Sequence, residues 1–143
     1  MTMMGILQVA SYIYKRYMDD FGVRIDEMKL HKLLYFTQRE CLIQKGEPMF
    51  EALFEAWKYG PVMVQIRQYY KNDSFPELID KEQVVQYEPV FDMVFKTYAP
   101  QKSWSLSTLT NGEYSWKHAR EGNDELDSCE EEMKAEDIMV DAN

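Results

Sequence analysis

Residues 26–46 read DEMKLHKLLYFTQRECLIQKG, and how this stretch is read decides the fold. Asp26 suits a helix N-cap, because its carboxylate can accept from backbone N–H groups that a first turn leaves unpartnered. Glu27 adds negative charge where the helix dipole favours it. Leu30, Leu33, Leu34, Thr37 and Cys41 recur at three- and four-residue steps and predict one apolar stripe. Gly46 can take the left-handed conformation that ends a helix. The pattern predicts a long helix closed at both ends.

Upstream, Ile6, Val9, Ala10, Ile13 and Tyr17 predict an amphipathic helix from about Gly5 to Asp20, ended by Phe21-Gly22. Downstream, EPMFEALFEAWKYGP over 47–61 allows two readings. Phe50, Leu53, Phe54 and Trp57 fit a helical period, while Pro48, the aromatic enrichment and the Gly60-Pro61 break fit a short extended piece as well. Pro61 is suited to a first helical position, and Val62, Ile66, Tyr69 and Tyr70 predict a helix from there to about Lys71. NDSFPE is a loop. A further helix is expected from Glu88-Pro89, with Val90, Phe91, Val94, Phe95 and Tyr98 on its inner side and Pro100 as its stop. SWSLSTLTNG predicts a short helix capped by Ser103 or Ser105, and WKHAR another from Trp116. The expected fold is mostly α: one compact helical domain with a short extended segment before the Gly60-Pro61 corner.

The chain has 143 residues, 45% of them hydrophobic and 14% aromatic, enough for a core of its own. Met1 to Arg120 holds 15 Lys or Arg against 15 Asp or Glu, and Glu121 to Asn143 holds ten acidic residues against Lys134 alone. The expected division is therefore a neutral body, 1–120, and an acidic tail, 121–143, with a frayed helix around SCEEEMKAEDIM. The tail reads either as a solvated terminus or as an interaction segment. A neutral body argues against nucleic-acid binding through a basic face, and against anionic membrane surfaces. Without a basic–apolar–small leader pattern and with two cysteines that lack C-x-x-C spacing, a cytoplasmic protein is expected.

Catalytic signals are sparse. There is no Gly-rich phosphate loop, no H-E-x-x-H and no G-x-S-x-G. His31 stands four residues after Glu27, which reads as a surface histidine beside a carboxylate or as part of a weak metal site. Cys41 falls on the apolar stripe and reads as core. Cys129 sits beside Glu130, Glu131 and Glu132, where like charge disfavours a thiolate. Ten methionines suit irregular core gaps or an adaptable binding surface. The corner Trp57-Lys58-Tyr59-Gly60-Pro61 reads either as a core plug around a turn or as an aromatic platform for a partner.

Three phrases and a later segment carry a resemblance. Lys29-Leu30-His31-Lys32-Leu33-Leu34-Tyr35 followed by Gly46-Glu47-Pro48 and Ala56-Trp57-Lys58-Tyr59-Gly60-Pro61-Val62 closely resembles the hallmark of the Panacea domain, the SocA-like antitoxin and phage-associated family. LSTLTNGEYSWKHA is similar to that family's L-T-H-x-x-x-P-W segment, with Asn111 where His is frequent and Ser115 where Pro commonly precedes the Trp. The resemblance spans about residues 5–120. It implies an antitoxin-like protein, not an enzyme and without a cofactor or metal, that neutralises a cognate toxin by direct contact. On this reading Trp57, Lys58, Tyr59, Gly60 and Pro61 form the partner-binding corner, with Lys32, Tyr35 and Trp116 beside it. Delivery of the partner to a protease, with the tail as dock, is the alternative; a small metal-dependent hydrolase using His31 is a third reading. Homo-oligomers are compatible with each.

Overall fold

A computed structural model of the chain describes residues 3–77, 79–122 and 131–143. Its central element is α2, Glu27–Lys45, capped as its sequence dictates. The Asp26 side chain accepts from Lys29 N at 2.8 Å, and Gly46 is left-handed at φ 72° with its N–H donating to Leu42 O. The expected single stripe understates its burial, for every residue from Lys29 to Gln38 is buried. Other elements wrap the helix on all sides, so its polar side chains must find partners inside. Gln38 clamps the following segment: Nε2 donates to Phe50 O, and Oε1 accepts from Met49 N and Phe50 N. Lys29 Nζ donates to Tyr17 OH and Ala99 O, both at 3.1 Å.

α1, Ile6–Phe21, packs its Val9, Ala10, Ile13 and Tyr17 side against α2 and ends at left-handed Gly22. The Gln38 clamp decides the ambiguous stretch. With the amides of Met49 and Phe50 held by a side chain, the chain leaves α2 extended, and Phe54–Trp57 forms strand β1. Its antiparallel partner β2 is Gly60–Met63, in register Phe54↔Met63 to Trp57↔Gly60. Pro61 is therefore a strand residue and not the start of a helix, which corrects the expectation. It pairs opposite Ala56, whose own N–H donates outward to Glu131 O, so the donor that proline lacks is not needed by β1. Helix α3 begins only at Val64 and runs to Lys71.

α4, Lys81–Gln86, had no signal in the sequence reading; it is capped by Asp80 and buries no side chain. α5, Glu88–Thr97, presents Val90, Phe91, Val94 and Phe95 to the core as expected. α6, Ser103–Asn111, starts after Lys102 without a side-chain cap. Ser103 instead donates from its hydroxyl to Asp26, joining the starts of α6 and α2. α7 is Tyr114–Ala119, and α8 is Ala135–Ala142. The fold is mostly helical with one small hairpin.

Residues 131–143 are built into the body. Glu132 bridges antiparallel to Glu55, Met133 N donates to Phe54 O, and α8 lies on α2 and α7. Two acidic side chains here have partners: Asp137 Oδ2 is 2.7 Å from His118 Nδ1, and Asp141 caps α7 by accepting from Tyr114 N at 2.8 Å. The α8 helix starts later than expected, and the readings of Cys129 and of the segment 128–130 lie outside the described residues. Met4, Met49, Met63 and Met133 fill the core. Among the described residues no helix is long and apolar enough to cross a membrane.

Glu113, just before α7, faces Arg39 at 3.4 Å and the Asp141 carboxylate. Burial raises its carboxyl from the ordinary 4.5 to about 7; Arg39 offsets this only in part, and the Asp141 carboxylate pushes in the same direction as burial. A raised carboxyl binds its proton more tightly folded than unfolded, so stability falls as pH rises from about 4.5 through about 7 and is level above. Urea unfolding of Glu113→Gln should lack that segment of the pH profile, while the wild type keeps it.

Candidate functional site

The turn Lys58-Tyr59 closes the hairpin, and Gly60 follows at φ 119°, a conformation that side chains rarely tolerate. There is no room for one either. A Cβ on Gly60 would lie 2.5 Å from Lys32 Cε and 2.6 Å from Thr110 Oγ1. The glycine of the corner is thus required by close passage of the α2 lysine and the α6 threonine beneath it.

Three side chains, from α6, from α7 and from the residue just after α7, hold carbonyls of this hairpin in sequence. Arg120 Nη1 donates to Ala56 O at 2.8 Å, Trp116 Nε1 to Trp57 O at 2.8 Å, and Asn111 Nδ2 more weakly to Lys58 O at 3.4 Å. The later motif therefore grips the earlier one. Asn111 Oδ1 is buried without a hydrogen-bond partner among the described residues.

On the other side, His31 ties β2 to α2. Its Nδ1 accepts from Met63 N at 3.2 Å, so Nε2 carries the proton toward Glu27 Oε2 at 3.0 Å. The ring is only 2% exposed, and burial lowers its pKa, which keeps it neutral. This replaces the expected surface histidine: the i, i+4 bond to Glu27 is present, but both ring nitrogens are occupied inside the fold. Glu27 also accepts from Arg67 Nε at 2.9 Å, and its carboxyl is held at about 2, chiefly by the His31 hydrogen bond. The Arg67 guanidinium lies 5.0 Å from the Trp57 ring centre. Among the described residues no three His, Cys, Asp or Glu side chains converge as a metal site requires. Cys41 is buried, donates to Glu47 O, and burial pushes its thiol up to about 11.

The hairpin tip forms a ridge between two cavities. One, of about 550 Å³, is bounded by Lys32, His31, Trp57, Val62 and Arg67; the other, of about 660 Å³, by Trp104, Thr108, Asn111, Trp116 and Lys117. Lys58 and Tyr59 line both. Tyr59 is 44% exposed and meets Trp104, 64% exposed, edge-on with ring centres 5.3 Å apart.

Of the eight residues expected to bind a partner, the structure gathers Lys32, Trp57, Lys58, Tyr59 and Gly60 around the first cavity. Trp116 is largely buried and lines the second. Pro61 is buried within β2. Tyr35 is fully buried, and its hydroxyl donates to Asp141 Oδ2 at 2.7 Å, so it fastens α8 and lies apart from the ridge. Trp104 was missed. A signal existed: on a helix that buries Leu106, Ser107 and Thr110, an indole at 104 falls on the outer face.

A mostly helical domain that offers a rigidly held, aromatic hairpin between two open cavities has the form of a binding module. Residues 30–117 match the family described as antitoxin SocA-like, Panacea domain, and the chain belongs to that family. It is similar to the Antitoxin SocA of Caulobacter vibrioides (strain NA1000 / CB15N), at 48% identity over 40 residues. That stretch covers 28% of this chain and 21% of the relative. No solved structure matches the chain.

Proposed function

We propose that this protein is an antitoxin that neutralises a toxin protein by direct contact, with the hairpin ridge as the gripping surface. The observation that carries the reading is the exposed Tyr59–Trp104 pair at the apex of a hairpin whose carbonyls and edges are tied down from both sides. Large rings on a preorganised support lose little conformational entropy on binding, and such side chains dominate interface energetics. Membership of an antitoxin-named family supports the same reading. The action is occlusion: the ridge and its flanking cavities cover a working surface of the toxin over roughly 1,600 Å².

The test uses the two exposed rings, whose removal spares the core. Tyr59→Ala combined with Trp104→Ala should keep the melting temperature. It should also abolish growth rescue when co-expressed with the toxic product encoded beside this chain, with binding weaker by about 2 kcal/mol or more. Undiminished rescue by the folded variant would remove the ridge from the interface.

The protease-adaptor alternative placed its dock in the acidic tail. Because residues 131–143 pair with β1 and pack on α2, deleting 121–143 would damage the body, and toxin lifetime should instead be followed with point changes at exposed Glu131 and Glu136.

A further inference from the structure

Every buried polar side chain of α2 has an internal hydrogen bond except one. Lys29, His31, Tyr35, Thr37, Gln38 and Glu40 are each bonded. Lys32 is 1% exposed, and its side chain enters none of the hydrogen bonds or ion pairs formed among the described residues; Asp26 and Glu27 act on it only through their charge. A lysine so deeply placed without a direct hydrogen-bonded partner is unfavourable.

We propose that Lys32 is the anchor of a carboxylate-binding site in the first cavity, and that a toxin partner inserts a carboxylate there beside an apolar or ring-bearing group. This deepens the antitoxin reading and rests on it for the identity of the donor.

Four observations converge. The ammonium belongs to a cavity of about 550 Å³, under a glycine whose missing side chain leaves the lysine end its passage: a Cβ there would lie 3.0 Å from Nζ. Asp26 and Glu27 act on Lys32 through their charge, His31 feels the Lys32 charge, and Lys58 and Arg67 share the cavity wall. Glu27 is committed to His31 and Arg67, Asp26 caps α2 and accepts from Ser103, and His31 is neutral. The cavity wall thus keeps Lys32, Lys58 and Arg67 against Glu27, an excess that suits an arriving anion. Burial lowers the Lys32 amine to about 8 against the opposing charges of Asp26 and Glu27, which leaves it mostly charged at neutral pH. Met28, Trp57, Tyr59 and Val62 make the remaining walls apolar, which suits a carboxylate on a hydrophobic carrier. Glu27 in the same wall favours a single carboxylate over a phosphate dianion, whose second charge it would repel further.

The first test needs no toxin. Full-length protein carrying ¹³Cε-lysine is titrated with phenylacetate and with neutral phenylacetamide. The Lys32 signal should respond to the acid alone, with its apparent pKa raised by about one unit, a tenfold preference for the charged amine. Equal responses to both probes, or none, would overturn the site. Acetyl-Gly-Phe-Gly with a free C-terminus and amidated acetyl-Gly-Phe-Asp-Gly then distinguish a chain end from an acidic side chain; silence of both would also overturn it. In the second test Lys32→Met should stay folded, lose the phenylacetate response and bind the toxin at least about tenfold more weakly. A Lys32→Met protein that binds toxin like wild type removes the carboxylate anchor and leaves the antitoxin reading standing. If instead wild type rescues no growth, that reading fails, while the probe titration still decides the site.

Discussion

Gly60→Ala is expected to destabilise the protein by about 4 kcal/mol, combining a left-handed φ for a residue with a Cβ and overpacking of a filled space. The first part follows from φ 119°, the second from Lys32 Cε at 2.5 Å and Thr110 Oγ1 at 2.6 Å. Urea denaturation measures the sum. Adding Lys32→Ala should restore part of the loss by clearing one neighbour, while the φ strain and the threonine remain, so the cycle should show a coupling of about 1 kcal/mol. Additive effects would mean that the lysine does not run beneath the glycine. The same substitution displaces the apex that carries Tyr59, so growth rescue should fall with stability.

Asp141→Ala should be nearly as damaging. This carboxylate accepts from Tyr35 OH, from Tyr114 N and Ser115 N, and from the Ser115 hydroxyl, so one side chain fastens α8 to α2 and caps α7. Its loss leaves the buried Tyr35 hydroxyl and the first amides of α7 without their acceptor, at an expected cost of about 3 kcal/mol. Amide exchange over residues 131–143 should accelerate in step with the fall in melting temperature. Unchanged exchange there would show that α8 is held by Met133 and Ile138 packing alone.

Much of the framework is legible in the sequence because it is set locally. The bounds of α1, α2 and α5 follow from three- and four-residue apolar steps and from Asp26, Gly22 and Gly46. What was not legible depends on distant partners. The segment after α2 is extended because Gln38 captures the amides of Met49 and Phe50, a contact no local pattern encodes. Pro61 fits a helix start by its own φ, yet it sits in a strand because Ala56 sends its N–H to Glu131, 75 residues onward in the chain. Net charge misdescribed the end of the chain for the same reason: Asp137 and Asp141 look solvated until His118, Tyr35 and Ser115 are brought to them.

The site was half legible. The crowding of Trp57, Tyr59, Gly60 and Pro61 marked the corner, and Lys32 was drawn in by its phrase. Trp104 and Arg120, which complete the ridge and its support, come from much later in the chain, Arg120 64 residues after the Ala56 it holds. Tyr35 shares the phrase with Lys32 but serves α8, since residues three apart on a fully wrapped helix can meet different neighbours.

The central claim is that a preformed hairpin ridge grips another protein. Amide exchange of the wild-type chain, alone and saturated with a toxin whose growth arrest it relieves, tests this most directly. New protection is expected at residues 57–60 and along the start of α6, with exchange in α1 unaltered. Protection confined to α1 or α4, with the hairpin amides unchanged, would contradict it.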